Sequence, residues 1–295
     1  MSPQRNLQAE RLRAKLNEAA ADPSKILPRG ITHDGLSARL CEQAGFEIAF
    51  MGGFAVSASH GLPDTGYLQC AEMCERIRQI TDVCSLPLLA DGDTGYGNAM
   101  NVRRTVHQYA KAGAAGIMLE DQEWPKRCGH MDGKRVIPRD EAVARIRAAV
   151  EERDTGIDIF IQARTDARCV SFEEALLRAK LFKEVGADGI VVDALVSVDE
   201  MKILCQTIPG PICANNLEGG KTPILTQKEL AQIGFALVSY PLSLVTACIV
   251  GMQKALEEIK EDSKERRPLV SFKDVCNTVG FNQYIQTSEK YKTDV

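Results

Sequence analysis

Apolar residues fall along this chain in two rhythms that take turns. Short apolar runs occupy 47–51, 87–90, 116–119, 157–163, 189–192, 212–214 and 235–239, with a briefer one starting at 26–27. Runs of that length predict strands. Each is followed by a stretch that reads as helix: 34–44, then 55–60 and part of 67–83, 100–112, 139–152, 171–185, 198–207, 227–234 and 242–259. An amphipathic helix at 6–22, with Leu7, Leu12, Leu16 and Ala19 at helical spacing, precedes them all. Eight strand–helix alternations without repeats or long linkers predict one (β/α)8 TIM-type barrel over residues 1–259. Residues 260–295 read as a helical C-terminal extension: a charged linker at 260–267, then short helices over 271–291 carrying Phe272, Val275, Val279, Phe281 and Tyr284.

The densest chemistry lies at 91–134. The run 87–90 ends on Asp91, and Asp93 follows two residues later. In extended chain that spacing puts both side chains on one face. Thr94-Gly95-Tyr96-Gly97 then breaks the strand. The run 116–119 ends on Glu120 and Asp121. Two adjacent βα units thus deliver carboxylates at strand C-terminal ends, where barrels of this kind keep their active sites. Hard carboxylates of this sort suit Mg²⁺ or Mn²⁺. The loop Lys126-Arg127-Cys128-Gly129-His130 follows, with cations at hand to stabilise a Cys128 thiolate. Gly52-Gly53 ends the second strand, where free N–H groups can bind a carboxylate. Arg164, at the end of the fifth strand, is expected to clamp a substrate carboxylate bidentately, oriented by Asp166.

Composition narrows the class. A net charge of −4 over 295 residues, without basic blocks, argues against nucleic acid as a partner. No apolar run reaches membrane-spanning length, and the charged N-terminus lacks a signal core. Ten scattered cysteines with no C-x-x-C pair read as reduced, mostly buried thiols, and Cys70 and Cys74 as helix residues one turn apart. A cytoplasmic protein acting on a small molecule is the expectation.

LLADGDTGYGNAMNVRRTV, LEDQEWPKRCGHMDGK, QARTDAR and NNLEGGKTP occur in that order. Together they resemble the isocitrate lyase and phosphoenolpyruvate mutase superfamily, and most closely its branch of 2-methylisocitrate lyase, 2,3-dimethylmalate lyase and petal death protein. The similarity runs from about residue 36 to the C-terminus. It implies a Mg²⁺-dependent (or Mn²⁺-dependent) lyase cleaving the C2–C3 bond of a 2-hydroxy di- or tricarboxylate. Asp91 would be the direct metal ligand, with Asp64, Asp93 and Glu120 holding its waters. Cys128 would protonate the carbanion fragment, and His130, Lys126 and Arg127 would tune the thiol and hold carboxylates. Phe50, Gly52, Gly53, Gly129, Arg164, Asp193, Asn215 and Glu218 would line the site, and Tyr96 is a candidate base for the hydroxyl. Relatives exchange a helix between subunits, which implies a homotetramer with a swapped C-terminal helix.

Three positions leave the family pattern. Gly52 stands where relatives commonly carry Ser, Asp193 where they carry Glu, and Gly30-Ile31-Thr32-His33 replaces the usual segment before Asp34. The first two predict a pocket enlarged on the side that grips the smaller fragment. Oxaloacetate hydrolysis and carboxyphosphonoenolpyruvate mutase chemistry are the rival activities. The first is disfavoured by Pro138, near which such hydrolases carry Ser. A non-catalytic binding protein is the rival of another class.

Overall fold

The computed structural model describes residues 5–128, 130–131, 133–262 and 270–292. Eight parallel strands close into a barrel in chain order. They are β1 (Leu27–Thr32), β2 (Ala49–Met51), β3 (Leu88–Asp91), β4 (Gly116–Glu120), β5 (Phe160–Thr165), β6 (Gly189–Val192), β7 (Ile212–Asn215) and β8 (Leu237–Ser239). The helices are α1 (Leu7–Ala21), α2 (Gly35–Gln43), α3 (Gly53–Ser59), α4 (Cys70–Thr81), α5 (Ala99–Ala112) and α6 (Arg139–Asp154). After them come α7 (Phe172–Glu184), α8 (Val198–Thr207), α9 (Gln227–Ile233), α10 (Ser243–Lys260), α11 (Phe272–Val279) and α12 (Phe281–Glu289). β3, β4 and β6 are buried at every residue, which is why they read as unbroken apolar runs: helices cover one face and the barrel core the other. Side-chain caps start several of the helices. Asn98 accepts from the N–H groups of Met100 and Asn101 at α5, and Thr226 and Glu229 form a capping box at α9. β5 begins at Phe160 and runs on through Thr165, so Arg164 lies within the strand.

Residues two apart on a strand point to the same side. Phe50, Leu89, Met118, Phe160, Val191 and Cys213 therefore gather inside the barrel as one apolar cluster. Two residues beyond four of them stand Asp91, Glu120, Asp193 and Asn215 at the C-terminal rim. The opposite end is closed by α1. Its Leu12 and Leu16 join the interior cluster, and Asn6 at its start donates to the carbonyls of Ala114 and Asp158 at 3.0 and 2.9 Å. Arg13 adds a bond to the Ile159 carbonyl at 2.9 Å and an ion pair to Asp188 at 3.2 Å. Leu12→Ala is expected to cost about 2–5 kcal/mol, because the fully buried side chain fills space that the barrel floor cannot collapse into. Urea unfolding measures it; a loss below about 1 kcal/mol would show α1 to be an accessory.

α10 departs from the sequence expectation of a final barrel helix. Val245 is its one buried residue, and Val250, Met252, Leu256 and Ile259 are each more than half exposed. α11 lies against α2, where Gln43 Nε2 donates to the Thr278 carbonyl at 3.4 Å. Residues 263–269 of the expected linker lie outside the described residues. Of the ten cysteines, Cys41, Cys74, Cys84 and Cys213 are buried and Cys169 and Cys248 exposed, fewer buried thiols than expected. Cys70 and Cys74 both lie on α4. No described helix is long and apolar enough to cross a membrane.

Candidate active site

One pocket, of about 90 Å³, opens at the C-terminal rim. That is small beside the several hundred Å³ of a drug-sized site and suits a compact acid. The acids come first. Asp91 ends β3, and both its oxygens are held: Oδ2 accepts from Gly53 N–H and Oδ1 from Asp93 N–H, each at 3.1 Å. The Gly53 amide thus serves the protein's own carboxylate. A Cβ at Gly53 would lie 3.0 Å from Asp91 Oδ2 and 3.3 Å from Asp93 Oδ1, so any larger residue would push the acids back by a few tenths of an ångström. Asp93 is not on β3. It sits past Gly92 in a turn with φ +48°, a conformation that costs a non-glycine residue energy, and its carbonyl is tied to Glu120 N–H at 2.8 Å. A tight turn, rather than strand periodicity, brings the two acids together.

Lys126 corrects a second expectation. Its side chain is 4 % exposed, and Nζ pairs with Asp64 Oδ1 at 2.8 Å and with Asp93 Oδ1. It neutralises the acid cluster instead of tuning the thiol. Burial alone would lower its pKa, but Asp93, Asp91, Asp64 and Glu120 outweigh that and raise it well above the usual value. Burial, reinforced by Asp91 and Asp64 and opposed by Lys126, pushes Asp93 up to about 6.

Arg164 is the hub of the facing wall. Nε and Nη2 grip both oxygens of Asp166 at 2.9 and 3.0 Å. Nη2 also reaches Asp193 Oδ2 at 3.2 Å, and Nε approaches Glu120 Oε2 at 3.3 Å. The two-nitrogen edge expected to clamp a substrate is thus occupied by Asp166. Asp193 is fully buried and also accepts from Asn215 Nδ2 at 2.9 Å. Burial works against its charge, yet Arg164, His130 and Lys134 hold it far below the usual carboxylate range. Asp121, the other acid after β4, accepts from Thr165 Oγ1, Asp166 N–H and Arg178 Nη1; it braces the rim and does not line the pocket.

The loop after β4 covers these groups. Gln122 pins it, accepting from Arg127 N–H at 3.0 Å and donating to the Arg127 carbonyl at 2.9 Å. Arg127 and the half-buried Cys128 line the pocket, as do Phe50, Gly52, Gly53 and Asn215. Gly129 lies outside the described residues. His130 Nδ1 accepts from Lys221 N–H at 3.0 Å, and its Nε2 lies 3.4 Å from Asn215 Nδ2 and 3.7 Å from Asp193 Oδ1. Lys134, which sequence reasoning passed over although it closes the same motif, bonds Asp166 Oδ1 at 2.8 Å. Glu218 is exposed, accepts from Ser243 Oγ at 3.3 Å and lies outside the pocket. Tyr96 is also displaced: its hydroxyl meets that of Tyr109 at 3.0 Å, and Tyr109 donates to the Asp91 carbonyl at 2.8 Å. Burial raises the Tyr96 pKa well above normal, and the residue does not line the pocket, so it is no base for a substrate.

The expected enlargement at Gly52 is absent. A Cβ there would sit 2.9 Å from Ile31 Cγ2, so Ile31 already fills the space, while Asp193 is locked among Arg164, Asn215 and His130. Gly52→Ser is therefore expected to destabilise by about 1–3 kcal/mol, since the β-branched Ile31 turns stiffly about χ1. Adding Ile31→Ala should recover most of the loss. Denaturant midpoints decide; a Gly52→Ser protein as stable as wild type would mean that Ile31 yields.

Among the described residues no three His, Cys, Asp or Glu side chains stand together as a ligand group, so the acids suit only a divalent cation held by one carboxylate directly and by the others through water. Asp64, Asp91 and Glu120 line one pocket with Asp93 behind them, a hard-oxygen set of the kind that holds Mg²⁺ through few protein ligands. Glu120 Oε1 is buried without a hydrogen-bond partner among the described residues. Burial, with Asp166 and Asp91 adding and Arg164 and Lys126 opposing, raises Glu120 well above the carboxylate range. Crowded carboxylates with an orphaned oxygen are what a cation relieves.

Residues 22–260 match the family model of phosphoenolpyruvate phosphomutase. The 2,3-dimethylmalate lyase of Eubacterium barkeri is 38% identical over 95% of this chain and 98% of its own. A crystal structure of a 2,3-dimethylmalate lyase, described as a member of the PEP mutase/isocitrate lyase superfamily, superposes with a TM-score of 0.89. It is 30% identical and covers 99% of this chain and 100% of its own. Phosphonopyruvate hydrolase in complex with oxalate and Mg²⁺ superposes with a TM-score of 0.84, at 28% identity, over 99% of both chains.

Proposed function

The chain belongs to the phosphoenolpyruvate mutase/isocitrate lyase superfamily, and from that premise we propose that it is a carbon–carbon lyase. It cleaves a 2-hydroxy di- or tricarboxylate of the malate or methylisocitrate type to a 2-oxo acid and a carboxylate. The observation that carries this reading is the convergence in one small pocket of Asp64, Asp91 and Glu120, the Arg164–Asp193 pair and the Cys128 thiol. Asp91 would hold a magnesium or manganese ion directly, with Asp64, Asp93 and Glu120 on its waters; such an ion supplies Lewis acidity toward the substrate's 2-oxygen. Arg164, its Nε and Nη2 committed to Asp166, has Nη1 for a substrate carboxylate, and Asn215 lines the same pocket. As the C2–C3 bond breaks, its electron pair takes the proton of the Cys128 thiol; the hydroxyl proton passes to water at the pocket mouth, and the thiolate is reprotonated from water after the products leave. The His130 bond to Lys221 keeps the loop seated.

The test is a panel of 2-hydroxy diacids and oxaloacetate with Mg²⁺, assayed for pyruvate, glyoxylate and oxalate. Release of a 2-oxo acid is expected. Oxalate from oxaloacetate alone would make the protein a hydrolase, and an inactive panel would leave only a binding role. We further propose a cytoplasmic homotetramer with its C-terminal helix exchanged between subunits. The exposed apolar side chains of α10 support the assembly, and unpaired cysteines support a reducing compartment.

A further inference from the structure

The floor of the pocket holds a cation that the chemistry above does not use. Arg29 faces inward from β1, is 3 % exposed and lines the same pocket as the acids. Its Nε donates to Ser239 Oγ, its Nη1 donates to Gln162 Oε1 at 3.0 Å, and its Cζ stands 3.8 Å from the centroid of the Phe50 ring. All three neighbours are uncharged. Among the described residues no carboxylate pairs with Arg29, whereas the other buried cations, Lys126, Lys134, Arg164 and Arg178, each have one. A buried charge without a counter-ion is costly, and a guanidinium does not escape the cost by losing its proton. Asp91 acts on Arg29 only through space; the guanidinium itself is held by a ring face and two neutral acceptors beside open space, which leaves a place for a ligand's carboxylate.

We propose that Arg29 receives a second carboxylate of the substrate, at the end remote from the rim acids. The assignment deepens the lyase reading and rests on it for the identity of the pocket. It makes the substrate a dicarboxylate or larger acid whose far end reaches the barrel floor. Apolar Ile31, Phe50 and Met118 line the pocket between the polar groups, which suits a short hydrocarbon segment joining the two carboxylates. One guanidinium balances one carboxylate, while a phosphonate would bring nearly two charges. The sequence signal was a charged residue in step with Ile31 on an inward-facing strand, and the apolar run that marks β1 stops at Leu27, so Arg29 passed as a loop residue.

Isothermal titration with Mg²⁺ present tests the idea, using 2-oxoglutarate and 2-oxoadipate against 2-oxovalerate, which lacks the far carboxylate. Wild type should bind the better diacid about 100-fold more tightly than 2-oxovalerate, the scale of a buried, hydrogen-bonded charge pair. Arg29→Gln should erase the preference and leave 2-oxovalerate binding unchanged, which also reports that the site is intact. Arg29→Met, similar in length and apolar, serves if Arg29→Gln does not fold. No diacid preference in wild type, or a preference that survives both substitutions, overturns the assignment. So does tighter binding of 4-phosphono-2-oxobutyrate than of 2-oxoglutarate, which would make the anion a phosphonate. Turnover is not read: Arg29-dependent binding without cleavage of any 2-hydroxy acid would sink the lyase reading alone, and cleavage with Arg29-independent affinity would sink this one alone.

Discussion

Alanine at Asp91 is expected to reduce turnover to background and to abolish stabilisation of the protein by Mg²⁺ or Mn²⁺. Asp91 is held firmly by the fold, since the Gly53 and Asp93 amides bind its two oxygens. Its loss leaves those two N–H groups facing a vacated site, at about 1–3 kcal/mol if water does not replace the carboxylate. Against that, removing one negative charge relieves Asp93 and Glu120, whose carboxyl groups are both raised by Asp91. The two effects oppose, so the variant should fold. Steady-state assays and a Mn²⁺ titration followed by thermal melting would show both losses. Full wild-type turnover in excess chelator would end the metal assignment.

Cys128→Ala is expected to lower kcat by about 10²–10⁴-fold, the usual contribution of a general acid, while leaving affinity for metal and for the 2-oxo acid product nearly unchanged. A proton donor acts in the transition state, so its removal falls on kcat more than on binding. The thiol sits on a loop pinned by Gln122 and by His130, and neither contact involves the Cys128 side chain, so truncation should not release the loop. A variant with wild-type kcat would remove Cys128 from the chemistry.

The barrel was legible because its strands are buried on both faces and so appear as uninterrupted apolar runs, with polar helices of regular spacing between them. Asp91, Glu120 and Asp193 were legible because each follows such a run directly; Asp64 was placed by the resemblance alone. What escaped depends on distances across the barrel. Nothing near Lys126 in the chain reveals that its ammonium lies between Asp64 and Asp93, one from the β2–α4 side and the other from the β3 turn. Gly52 looked like an opened pocket because Ile31, twenty-one positions earlier, occupies the space from the neighbouring strand. Tyr96 stands in the motif beside the acids, but its left-handed backbone (φ +61°) belongs to a residue whose hydroxyl meets Tyr109 instead of the pocket. Helix α1 showed its amphipathic face but not what that face seals.

That seal governs traffic. With Leu12 and Leu16 beneath the interior cluster, the barrel is a blind alley, and both fragments of a cleaved substrate must leave through the doorway by which it entered. The fragment lodged deeper waits for the shallower one to go. Release is therefore expected to be ordered, and product inhibition should tell the two apart: the last to leave competes with substrate for the empty enzyme, and the first does not.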